Sequence, residues 1–160
     1  MAKTIHPEWD ERLGPAPNAR RQLPPLVLQY FARGREAAAS DLSPEKLHRL
    51  RLATKRLRYT LELFRPCYGP GLETRLAMLH EVQQLLGEVS DGGAAIRFLG
   101  DAALARSGQR SRAIEFLRQR TARKQREFRK HWVEVFDASS RERWWITYLS
   151  RHSRAPSRRV

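Results

Sequence analysis

A chain of 160 residues with 31 lysines and arginines against 17 acidic residues carries a formal charge of +14 and an isoelectric point near 11.2. That excess points to a polyanionic partner, whether nucleic acid, polyphosphate or an anionic membrane surface, and charge alone does not choose among them. A single cysteine, Cys67, excludes a disulfide framework and a cysteine zinc cluster, and no run approaches the roughly 20 apolar residues of a membrane span.

In chain order, residues 1–23 hold Pro7, Gly14, Pro15 and Pro17 with no apolar period, and read as an irregular arm. After Pro24-Pro25, the run Leu26-Val27-Leu28-Gln29-Tyr30-Phe31-Ala32 opens a first helix ending near Ala39. The second helix runs from about Pro44 to Phe64, with Ser43 as cap, proline at the first helical position and Arg65-Pro66 as stop. Pro66-Cys67-Tyr68-Gly69-Pro70-Gly71 forms a tight turn, favouring an antiparallel neighbour. The third helix, about Leu72 to Val89, sets one arginine against three glutamates. Ser90-Asp91-Gly92-Gly93 breaks the chain, and Ser90 or Asp91 caps a fourth helix, Ala94 to about Ala105.

The fifth helix, about Arg110 to Phe136, carries nine basic residues against three glutamates. Its apolar stripe is Ile114, Leu117, Thr121, Phe128, Trp132 and Val135. A short helix at 141–149 follows, and the arginine-rich end reads as disordered in isolation. The expectation is an all-α fold: an antiparallel helical bundle of four to five main helices over 24–149, with an irregular arm at 1–23 and a basic flexible tail at 150–160. Met1 to Glu8 lacks the apolar run of a signal peptide, so the expected location is the cytoplasm.

The second helix is the one most oddly charged. At about 100° per residue, Leu50, Ala53, Leu57, Leu61 and Phe64 share the core face. His48, Arg51, Lys55 and Arg58 gather on a neighbouring arc, extended by Tyr59 and Glu62, and Arg49 with Arg56 makes a second basic row. Solvated helices usually interleave opposite charges at i, i+4 spacing. Here only Glu62 does so, as a partner for Arg58. From residue 48 to 58 the row rises about 15 Å, a rail of donors for a linear polyanion.

The run Leu47-His48-Arg49-Leu50-Arg51-Leu52-Ala53-Thr54-Lys55-Arg56-Leu57-Arg58-Tyr59 resembles the signature of the CHAD family, the conserved-histidine α-helical domains. A second stretch, Leu79-His80-Glu81-Val82-Gln83-Gln84-Leu85-Leu86-Gly87-Glu88-Val89-Ser90-Asp91, resembles the family's later motif; together they cover about residues 44–100. The resemblance implies a helical bundle that binds inorganic polyphosphate without catalysis, in some members at polyphosphate granules. It assigns the anion contacts to His48, Arg51, Lys55 and Arg58, with Arg56 beside them. His80 stands where a lysine is common. Family members commonly contain two related halves and this chain has room for about one, so a homodimer would supply the second.

Three residues of the fifth helix, Arg120, Lys124 and His131, would wall the other side of the site if the bundle brings them close. Protonation of His48 would add charge to the row, so affinity would rise as pH falls. The rival readings are a nucleic-acid-binding module, using the fifth helix, the terminal arginines and stacking by Trp144, Trp145 and Tyr148, and a scaffold for an acidic protein surface. The histidines lack metal-ligand spacing, no phosphate-binding glycine loop occurs, and Cys67 has no adjacent base. The expectation is therefore no metal, no cofactor and no catalytic centre.

Overall fold

In the computed structural model, which describes residues 8–39, 43–101, 108–151 and 153, the chain forms five α-helices and, among the described residues, no strand. They are α1 (Pro15–Ala37), α2 (Pro44–Leu63), α3 (Gly71–Asp101), α4 (Gly108–His131) and α5 (Arg141–Arg151). A 3-10 turn, Arg65–Cys67, links α2 to α3, and a π turn, Trp132–Phe136, continues α4. The expected all-α bundle is the observed fold. Helix α1 packs on α2 and α5, and α3 packs on both α2 and α4.

The irregular arm expected at 1–23 is helical from Pro15 onward. Pro15 fits the first helical turn, where no amide donor is required. Pro24 and Pro25 lie inside α1, although interior proline costs about 3 kcal/mol. What offsets this is burial on the period Ala16, Ala19, Leu23, Val27, Tyr30 and Phe31, all in the core. Buried Asn18 secures the preceding loop: its Nδ2 donates to the carbonyls of Asp10, Leu13 and Gly14 at 2.9, 3.0 and 3.1 Å. Its Oδ1 accepts from the Asp10 amide at 3.0 Å. Residues 1–7 lie outside the described set.

The expected break at Ser90-Asp91-Gly92-Gly93 is also corrected. Helix α3 runs through it, so neither Ser90 nor Asp91 is a cap. Gly92 is needed for contact rather than for a turn: a Cβ there would stand 2.2 Å from Thr121 Oγ1 of α4. The glycine lets the two helices approach. The expected fourth-helix end near Ala105 lies outside the described residues.

Helix α4 ends with a second departure from the simple period. The Asp137 amide donates to the Trp132 carbonyl at 2.7 Å, the i to i+5 pattern of a π turn. The extra residue rotates the chain so that Phe136 is buried and Val135, expected inside, is 40 % exposed. Trp132 and Phe136 stack at 4.7 Å. Phe31 and Trp145 complete this aromatic core around Phe136, at 5.2 and 5.8 Å. Gly34 of α1 makes room for Trp132, since a Cβ there would fall 1.8 Å from the indole ring. Arg35 clamps the next junction, meeting Asp137 at 2.8 Å and Glu142 at 2.7 Å, and α5 continues through residues 150 and 151, where a flexible tail was expected.

Candidate functional site

Helix α2 buries Leu47, Leu50, Thr54, Leu57 and Leu61, one row round from the expected face. Ala53 and Phe64 pack at its edge. Thr54 is tolerated inside because its Oγ1 donates to the Leu50 carbonyl at 2.8 Å and lies 2.9 Å from the Tyr30 hydroxyl. Fixing this face inward leaves the cationic arc at the surface, where His48 and Arg56 are exposed and Arg51, Lys55 and Arg58 half-buried.

The row divides into two parts. Arg58 is held: its Nη1 donates to Glu62 at 2.8 Å and its Nε to Gln83 of α3 at 3.0 Å. Its guanidinium also lies 4.5 Å from the Tyr59 ring centroid. His48, Arg51 and Lys55 have no carboxylate partner among the described residues, and Arg51 Nε is buried without a hydrogen-bond acceptor. This upper part is therefore a set of uncompensated donors. The i, i+4 pair of Arg58 with Glu62 was legible in the sequence. Gln83 was not, because nothing in a neutral amide at position 83 marks it as the partner of position 58.

The Arg58 contact also sets what lies across from the row. On α3, His80 and Gly87 fall within about 60° of Gln83 at 100° per residue. His80 is exposed there, and a Cβ at Gly87 would meet nothing within 4 Å. Next to Gln83 the α3 surface is thus open, and among the described residues no carboxylate of α3 pairs with His48, Arg51 or Lys55.

Helix α4 does not supply the expected opposite wall. Lys124 bonds Glu88 of α3 and Glu127, each at 2.8 Å, and His131 Nε2 lies 3.6 Å from Glu81. Glu81 and Glu88 sit roughly 140–160° round α3 from Gln83, so α3 stands between the two basic helices. Glu127, then Glu88, holds the Lys124 ammonium above the usual lysine range. Arg120 is exposed and has no ion pair among the described residues. Of the nine expected contacts, His48, Arg51, Lys55, Arg58 and His80 flank one surface; Arg56, about 160° round α2 from Arg58, lies on the separate row with Arg49, and Arg120, Lys124 and His131 belong to α4.

The aromatic residues weighed for base stacking are engaged elsewhere. Trp145 is fully buried, and Tyr148 stacks on Tyr68 at 5.6 Å. Burial pushes the Cys67 thiol pKa up, away from a reactive thiolate. Among the described residues no group of histidine, cysteine, aspartate and glutamate could hold a metal, and no helix is long and apolar enough to cross a membrane.

No curated protein and no solved structure matches the chain. The CHAD-domain family model matches residues 2–100, a span that includes α1, α2 and nearly all of α3. The match therefore reaches beyond the two motifs at 47–59 and 79–91 into the proline-containing first helix. On the strength of that match the chain belongs to the CHAD-domain family.

Proposed function

We propose that this protein binds inorganic polyphosphate along α2, without catalysing a reaction on it. The observation that carries the reading is the run His48, Arg51 and Lys55: three donors one helical turn apart, with no carboxylate partner among the described residues. A linear polyphosphate presents charge, spacing and oxygen acceptors but no bases. Arg51 offers it a planar fork and Lys55 a point charge. Arg58 joins from a position fixed by Glu62 and Gln83, exposed His80 borders the surface from α3, and exposed Arg56 adds charge from the next row of α2. Binding should weaken steeply with salt, as counterions displaced from the polyanion compete for it again.

One helix face is half of an enclosing site, and α3 separates it from the cations of α4. A second copy of the chain, bringing its own α2 across a two-fold axis, would complete it. The two rows would repel each other in the absence of an anion, so dimerisation should depend on polyphosphate. The natural setting for such a protein is the cytoplasm, at polyphosphate granules.

Competition binding tests the reading. Polyphosphate should displace duplex DNA at far lower phosphate concentration, and sedimentation should show dimers only with polyphosphate present. Equal displacement per phosphate would mean nonspecific polyanion binding, including the nucleic-acid alternative, and a monomer under both conditions removes the dimer.

A further inference from the structure

Away from α2, at the start of α5, the structure buries a cation with no anion beside it among the described residues. Arg75 of α3 is 2 % exposed. Its Nη1 donates to the Gly71 carbonyl at 2.9 Å and its Nη2 to the Trp144 carbonyl at 2.8 Å. The guanidinium carbon lies 3.4 Å from the Trp144 ring centroid and 3.9 Å from that of Tyr148. Those contacts stabilise the cation but do not neutralise it. Its Nε is buried with no hydrogen-bond partner, and no carboxylate pairs with it among the described residues. Burial lowers its pKa to about 10, with Tyr148 opposing and the charge of Arg141 adding to the fall. A buried charge left unpaired is costly, and an arriving anion would relieve that cost.

A cavity of about 350 Å³ adjoins it, lined by Arg75, Ser140, Arg143, Trp144, Thr147 and Tyr148. Residues 140, 143, 144 and 147 share one face of α5 at its first turns. Glu142, the carboxylate of that turn, is instead turned to Arg35, 2.7 Å away. The lining therefore holds two guanidinium groups and three hydroxyls and no acid. Ser140 adopts φ 66°, a left-handed conformation that residues with a Cβ seldom hold. It is the acceptor of the first helical bond of α5, from the Trp144 amide at 2.9 Å. The first-turn amides of α5 point out of this end, adding the positive end of the helix dipole.

We propose that this cavity is a second anion site, separate from α2, that takes a single phosphate-class oxyanion. Arg143, with the Ser140 and Thr147 hydroxyls, supplies the direct donors; Arg75 supplies charge from behind them. Trp144 and Tyr148 form apolar walls that keep water from screening the charge. A guanidinium fork, hydroxyls and a helix N-terminus together suit a tetrahedral oxyanion. Free orthophosphate and the terminal group of a short polyphosphate share that chemistry.

The test is a titration of orthophosphate into the 15N-labelled chain, following the indole N–H signals of its four tryptophans at constant ionic strength. Using the double variant Arg51→Ala, Lys55→Ala keeps the α2 surface from competing. The expected result is a saturable shift of the Trp144 signal, as large in that variant as in the unaltered chain. Adding Arg143→Ala, a surface change that leaves the fold intact, should weaken it about tenfold. Tripolyphosphate binding tighter than orthophosphate in the same variant would identify the chain terminus as occupant, and equal affinity the free ion. The proposal is overturned if Trp144 does not respond saturably, if Arg143→Ala leaves the response unchanged, or if the response disappears with the α2 substitutions.

Discussion

Helices α2 and α4 are both strongly basic, yet among the described residues the carboxylates of α3 pair with cations of α4 and not with the His48, Arg51 and Lys55 row of α2. Lys124 lies between Glu88 and Glu127, Arg123 lies 3.9 Å from Glu127, and His131 faces Glu81. On α2 Glu62 relieves Arg58, and His48, Arg51 and Lys55 have no carboxylate partner among the described residues. The acidic residues of α3 explain the asymmetry: Glu81 and Glu88 project toward α4, while the side toward α2 presents Gln83. One helix thus serves as a neutralising partner on one flank and leaves the other flank charged. Net charge alone ranks α4 with α2 as a binding surface; position relative to α3 separates them.

The sharpest break of that comparison is a pair of double variants. Arg51→Ala with Lys55→Ala should reduce polyphosphate affinity about 100-fold at low salt, since two charge-assisted contacts at roughly 1.5 kcal/mol each amount to that factor. Arg120→Ala with Lys124→Ala removes the same formal charge and should reduce affinity about twofold, through the long-range field alone. Fluorescence or calorimetric titration of both variants reads the difference. Equal losses would mean that total charge, and not the α2 row, governs binding.

A packing variant probes the same contrast from the structural side. Gly92→Ala places a methyl group 2.2 Å from Thr121 Oγ1, forcing α4 away from α3 at a cost of about 2 kcal/mol. Thr121→Ala in the same chain should restore most of the lost stability in denaturant unfolding. Polyphosphate affinity of the folded Gly92→Ala protein should be unchanged, because α2 meets α3 on another side. A parallel loss of affinity would place α4 in the site after all.

The sequence makes α2 legible because its two periods, apolar and cationic, coincide with one helix bounded by prolines. Its ends, its core face to within one row, and the Arg58–Glu62 pair all follow from local spacing. What sequence reading misses is what depends on a neighbouring helix. Pro24-Pro25 and Gly92-Gly93 carry strong local signals for a break, and burial of Leu23 and Val27 in one case and contact with Thr121 in the other override them. The π turn at 132–136 escapes for the same reason: Phe136 rather than Val135 is inside because of Phe31 and Trp145. The opposite wall of the α2 site could not be assigned from α4, since facing direction is a property of α3.

The smallest effect concerns stability rather than binding, and there the two helices should respond with opposite sign. Hydrogen bonding to Lys124 lowers the Glu127 pKa below its ordinary value; Glu127, then Glu88, raises that of Lys124. A lowered carboxylate pKa contributes stability that is complete above the ordinary carboxylate value and lost as pH falls through the folded one. A raised lysine pKa contributes stability that is complete below the ordinary lysine value and lost as pH rises through the folded one. Lys124→Met should therefore lower Tm slightly across the neutral range, with the gap to the unaltered chain closing at both extremes. On α2, where His48, Arg51 and Lys55 have no such partner among the described residues, Lys55→Met relieves like-charge repulsion and should leave Tm unchanged or slightly higher in low salt. Thermal melts of the two single variants at low and high salt read the sign directly. A loss of stability in Lys55→Met equal to that in Lys124→Met would mean that the α2 row is compensated too, and its charge would no longer set it apart from α4.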